Sequence, residues 1–171
     1  MVNRLLRLLR HRWMDSAERS ITLAARERLT HAVANSELRH LGEIRVCIEA
    51  GLPNHLLLQA DPLSVLIRQR AVAQFAELGV WDTEHNNGVL IYLLLAERAI
   101  ELVADRAIYR AVPPAQWQAM VQRLGAALRE GRLEDGVLQA IQEVGAELAA
   151  YFPASDGAQN PNELPNQPLL R

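Results

Sequence analysis

Cysteine is nearly missing from this sequence: Cys47 is the only one in 171 residues. It cannot close a disulfide within the chain, and there is no cysteine cluster to hold a structural zinc. A reducing compartment is expected on that ground, with the cytoplasm as the default location. Aromatic residues are scarce, at 5%. No apolar run approaches the roughly 20 residues of a membrane span; the longest, Val89 to Ala96, has the length of a strand. Charge of one sign is also lacking. A net charge of −2 excludes a chain that coats nucleic acid, and 50% hydrophobic residues exclude a disordered one. There is no G-x-S-x-G elbow, no Walker lysine loop and no G-x-G-x-x-G, so the common signatures of hydrolases and nucleotide binders are absent. Internal repeats and low-complexity segments are absent too.

The length suits one domain with a substantial core and short appendages. Residues 1–20 read as a basic amphipathic leader helix: Val2, Leu5, Leu6, Leu9 and Trp13 share one face, and Arg4, Arg7 and Arg10 lie away from it. Its leucines come in pairs broken by arginines, which is a poor secretory signal. Such a helix docks on its own domain or contacts an anionic membrane surface through Arg4, Arg7, Arg10 and Trp13.

Residues 21–153 carry the domain, and residues 154–171, rich in Asn and Pro, read as an extended or disordered tail. From Thr22 to Ser36, Ala25, Leu29, Ala32 and Val33 recur at helical spacing. Ile44, Val46 and Ile48 then alternate with Glu43, Arg45, Cys47 and Glu49, a strand with one apolar face and one mostly polar face. Asp61 as N-cap, Pro62 at the first helical position and Gly79 past the end bound a second helix. Val89 to Leu95, apolar on both faces, reads as a central strand. A tight turn then leads to a partner strand over Ala99 to Asp105. Two helices follow, from Pro114 to Gly131 and from Leu133 to Tyr151, the latter stopped by Pro153. A strand-helix-strand unit makes its strands parallel, and a hairpin makes them antiparallel. The expected fold is therefore α/β: a small mixed β-sheet flanked by helices on both faces, an α/β sandwich.

This topology brings three polar segments to one edge of the sheet: SELRHLGE, DTEHNN, and Asp105 with Arg106. Centring the hairpin on Glu97 puts Val89 opposite Asp105, so that Asn87 and Asp105 are neighbours. Carboxylates gathered without counter-charge repel, and hard cations seek several oxygen ligands. Asp82, Glu84, Asn87 and Asp105 are candidate ligands, with Glu37 and Glu43 as additional ones; His40 suits a softer metal. The competing reading is purely architectural: Asp82 caps or turns the chain, Asn87 and Gly88 turn into the strand, and Asp105 pairs with Arg106 or Arg45. Elsewhere Cys47 reads as a packed thiol, Trp81 and Trp117 as packing anchors, and Arg68 and Arg70 as a solvated helix face or an anion clamp.

The motifs SE-x-x-H-x-GE-I-R (Ser36 to Arg45), VWDTE-x-NNGVLIYLLLA (Val80 to Ala96) and VADR (Val103 to Arg106) resemble the TPM domain family. Within it they are similar to the short bacterial branch without a signal peptide or membrane anchor. The resemblance runs from about Ala32 to Pro165 and includes the tail segment NELP. It implies a small α/β sandwich, a divalent cation at an acidic site, acid phosphatase activity in some members and accessory roles in assembling membrane complexes. Asp82, Asn87 and Asp105 fall in the shared motifs, and Glu37, His40 and Glu43 in the branch-specific one. Ala107 departs from the glycine usual in that branch, which would have allowed a positive φ beside the site. The expected function is a divalent-cation-binding module, for Ca²⁺ or Mg²⁺, that docks a protein partner. The alternative is a metal-dependent, acid phosphatase-like hydrolase of phosphate esters.

Overall fold

The computed structural model describes His11, residues 17–154 and residues 160–171. The amphipathic face expected of Arg4, Arg7, Arg10 and Trp13 lies outside the described residues. A short helix α1 (Ala17–Ser20) precedes α2 (Leu23–Glu37), where Thr22 caps the first turn by accepting the Ala25 amide hydrogen at 3.1 Å. The chain continues through β1 (Ile44–Glu49), α3 (Asn54–Leu57), α4 (Leu63–Glu77) and β2 (Val89–Leu94). After a 3-10 turn (Leu95–Glu97) come β3 (Ala99–Ala104), α5 (Arg106–Ala111), α6 (Pro114–Arg129), α7 (Leu133–Tyr151) and β4 (Leu169–Leu170).

The sheet has the order β3-β2-β1-β4, with β1 parallel to β2 and β4, and β2 antiparallel to β3. Val89 pairs with Ala104, one residue away from the expected Asp105. Leu95 leaves the strand to start the 3-10 turn, and Arg98 closes that turn at φ 47, which shortens the hairpin.

Each face of the sheet has its own core, because β1 and β2 are buried on both sides. Ile44, Val46, Ile48, Val89, Ile91 and Leu93 pack with Leu29, Val33, Leu124, Ile141 and Val144 of the α2, α6 and α7 layer. Cys47, Leu90, Tyr92, Leu94 and Val103 pack with Leu57, Leu66, Ile67 and Ala71 on the α3 and α4 side. The sandwich expected from the order of elements is the one that forms. Gly145 lets α7 press against α2: a Cβ there would lie 1.9 Å from Ser36 Oγ.

Several local expectations change. The polar face of β1 is buried, because its charges have partners: Arg45 donates to the carbonyls of Pro165 and Gln167, and Glu49 is held by Arg70. Arg70 is thus neither solvated nor free for an anion, and Arg68 reaches Glu101 and the Leu102 carbonyl. Asp61 is not the N-cap of α4. Pro62 takes that place, with extended backbone, and its carbonyl accepts the Val65 and Leu66 amides at 3.0 and 3.1 Å. Trp117 is buried as an anchor, but Trp81 is 53% exposed, its Nε1 donating to the Ala76 carbonyl. The tail is extended, and it belongs to the sheet, since Leu169 and Leu170 pair with Cys47 and Ile48.

Candidate functional site

Parallel pairing puts the starts of β1 and β2 on one edge, and the antiparallel β3 ends there. Backbone hydrogen bonds stitch the three together: Val89 N donates to Glu43 O at 2.8 Å, Asp105 N to Gly88 O at 2.9 Å, and Ala107 N to Asn86 O at 3.0 Å. Gly88 is required, because a Cβ would sit 2.1 Å from the Val80 carbonyl oxygen. Asn86 adopts φ 52, a left-handed conformation that a short amide tolerates, and its Oδ1 accepts Arg106 Nη2 at 2.7 Å.

Asn87 is fully buried; its backbone amide donates to Thr83 Oγ1 and its Nδ2 to the Leu41 carbonyl, both at 3.1 Å. Asp105 is 5% exposed and caps α5, its Oδ1 accepting Arg106 N at 2.6 Å. Glu37, also buried, accepts the Ile44 amide through Oε1 at 3.1 Å. Burial pushes its carboxyl up to about 8, helped by the nearby Glu43 charge and opposed by the Ile44 amide and the Asn166 side chain. Glu43 accepts the Glu163 and Leu164 amides, both at 3.2 Å, and burial raises its carboxyl as well.

The remaining candidates go elsewhere. Asp82 and Glu84 are exposed, on the outer side of the turn. Both ring nitrogens of His40 are used, since Nδ1 donates to the Gly42 carbonyl and Nε2 accepts the Ser36 hydroxyl, each at 3.0 Å. Burial pushes His40 down to about 4, and with both ring nitrogens engaged it offers no free lone pair to a metal.

Among the described residues, no group of three or more His, Cys, Asp or Glu side chains is placed to hold a metal ion, so the six candidates do not form one cage. Four buried side-chain oxygens remain unsatisfied. Glu37 Oε2, Asn87 Oδ1, Asp105 Oδ2 and Asn166 Oδ1 are buried without a hydrogen-bond partner, and they are the buried side-chain acceptors in that condition among the described residues. Each such acceptor costs about 1–3 kcal/mol until something positive or hydrogen-donating reaches it. Asn166 lies outside the set expected from sequence. Ala107 sits in the first turn of α5, where no positive φ is needed and alanine favours the helix.

The model of the TPM domain matches residues 15–147. This chain belongs to the TPM domain family. Its fold is shared with the NMR structure of the BA42 protein from the psychrophilic bacterium Bizionia argentinensis sp. nov., at 26% identity and a TM-score of 0.72. That similarity covers 87% of this TPM domain protein and 94% of BA42. No curated protein matches. No helix among the described residues is long and apolar enough to cross a membrane.

Proposed function

We propose that this TPM domain is a divalent-cation-binding module, for Ca²⁺ or Mg²⁺, with an accessory role in docking a protein partner. The observation that supports it is the gathering of acceptor oxygens without donors at one sheet edge. Asn87, Asp105 and Glu37 would hold the ion, with Asn166 completing the set; carboxylate and amide oxygens are the ligands hard cations prefer. The ion would supply fixed positive charge and tie the turn at residues 81–87 to α5. The exposed Trp81, Asp82 and Glu84 on that turn and Tyr109 on α5 form the surface offered to a partner.

Docking is favoured over phosphate-ester hydrolysis by the state of Ser36. Its hydroxyl is bonded to His40 in the manner of a nucleophile and base, but it is 3% exposed and pressed against Gly145, out of reach of a substrate. Thermal melts in Ca²⁺, Mg²⁺, Mn²⁺ or chelator, followed by a generic phosphate-ester assay, test the proposal. An ion at 100 times its dissociation constant stabilises the native state by about 2.7 kcal/mol. If none of the three shifts the melting temperature of the wild-type protein, the cation reading is wrong. Chelator-sensitive turnover of the ester would replace docking by hydrolysis as the role.

A further inference from the structure

α4 buries Leu66, Ile67, Ala71 and Gln74 against the sheet and turns Val65, Val72 and Ala76 away from it. Val65 is 41% and Val72 45% exposed, and they stand two helical turns apart on one line, about 10 Å along the axis. They line a groove with Ser64, Arg68 and Gln69. Arg68 does not fill it with free charge, because its guanidinium is held by Glu101 and the Leu102 carbonyl. The start of this face lies beside the anchor of the N-terminal segment. α4 returns from the end of β1 to the start of β2 and so runs parallel to β3. With Arg68 at Glu101, the turn before it stands over the start of β3, and Leu63 packs in one cluster with Ala99 and Leu52. His11 is bonded at that corner: its Nδ1 accepts the Leu52 amide at 3.0 Å, and its Nε2 meets Glu97 Oε1 at 2.9 Å.

We propose that residues 1–10 dock on this face of α4, with Val2, Leu5, Leu6 and Leu9 against Val65 and Val72. Ten residues precede His11, and in a helix they reach about 15 Å. That length runs from the His11 anchor past Val72. An amphipathic helix seats its apolar stripe in an apolar groove, and here both stripes have the same period and comparable length. Arg4, Arg7 and Arg10, which lie away from the leucines, then face solvent, so docking buries no charge. An anionic membrane would take up the same leucines, which makes α4 and a membrane surface competitors for one segment. The proposal does not involve the acidic edge and stands apart from the cation reading.

Hydrogen exchange of the full chain at low protein concentration, read over residues 2–9, tests it. The wild-type amides are expected to exchange about tenfold more slowly than those of the double variant Val65→Asp, Val72→Asp. Both aspartates fall on an exposed helix face, so exchange in β2 and α7 stays unchanged. The reciprocal double variant, Leu5→Asp with Leu6→Asp, loses the same protection and also leaves β2 and α7 as they are. Equal exchange over residues 2–9 in the wild type and the valine variant overturns the proposal. Equally slow exchange would place the segment elsewhere on the domain, and equally fast exchange would leave it undocked. Protection that grows with protein concentration overturns it in favour of a second copy of the chain. Protection that appears only with vesicles of anionic phospholipid overturns it in favour of a membrane surface.

Discussion

Two buried polar clusters sit at opposite ends of β1 and solve the same problem differently. At the end of the strand, Glu49 is clasped by Arg70 through Nε at 2.9 Å and Nη2 at 2.8 Å, and it accepts the Tyr92 hydroxyl at 2.6 Å. Cys47 Sγ donates to Gln74 Oε1, Gln74 Nε2 to Glu77, and burial raises both the Cys47 thiol, to about 12, and the Tyr92 hydroxyl. Every polar group there has a partner of the chain's own. At the start of the strand, Glu37 keeps one oxygen without a donor, and Arg45 turns its guanidinium to the carbonyls of Pro165 and Gln167. Burial is comparable at the two ends, so burial alone does not separate clamp from site. A resident arginine makes a carboxylate part of the architecture; its absence leaves room for positive charge from outside.

The largest effect belongs to the paired end. Arg70→Ala leaves Glu49 buried and unpaired and is expected to cost about 3–5 kcal/mol, read by urea unfolding, with the response to Ca²⁺ intact in whatever remains folded. A loss below 1 kcal/mol would show that this end is not a clamp. Next, Asp105→Asn keeps the Oδ1 cap but removes charge from the other end. It should leave stability in chelator within about 1 kcal/mol of wild type while abolishing the cation-dependent gain of about 2.7 kcal/mol. An undiminished gain would remove Asp105 from the ligand set.

The pH dependence in chelator is smaller and has two opposed parts. Glu37 is raised from 4.5 to about 8, so its contribution is complete below pH 4.5 and is lost as pH rises through 8. His40 is lowered from 6.5 to about 4, so its contribution is complete above pH 6.5 and is lost as pH falls through 4. The two slopes oppose each other between pH 4.5 and 6.5, and stability should be flat there and then decline toward pH 8. Denaturation across pH should show the decline in wild type and a shallower one in Glu37→Gln, where the raised Glu43 carboxyl still contributes; identical profiles would contradict it. Smallest is Ala107→Gly. A helical position loses about 1 kcal/mol, whereas a position that needed glycine would gain.

The layers of the fold were legible because the apolar periods are long and bounded: the stretch Val89 to Leu95 reads as a central strand, and Leu133 to Tyr151 as a helix. The hairpin register came within one residue, missed because nothing local marks Leu95 as the residue that leaves the strand. The placement of Asn87 beside Asp105 followed from topology alone. Asp82 and Glu84 are close to Asn87 in sequence but exposed, and composition does not tell the inside of a turn from the outside. The tail was the least legible part. It docks through backbone amides and carbonyls about 120 residues distant from their partners, and no side-chain period announces such contacts.

The pairing of Leu169 and Leu170 with β1 has a consequence for association between chains. The order β3-β2-β1-β4 makes Leu169 and Leu170 the cover of a strand that is buried on both faces. Without them, the edge of β1 around Cys47 and Ile48 is left with unpaired amides and carbonyls, the template on which strands of other molecules add. Replacing Leu169 and Leu170 so that they no longer pair with β1 is expected to promote aggregation, read by light scattering.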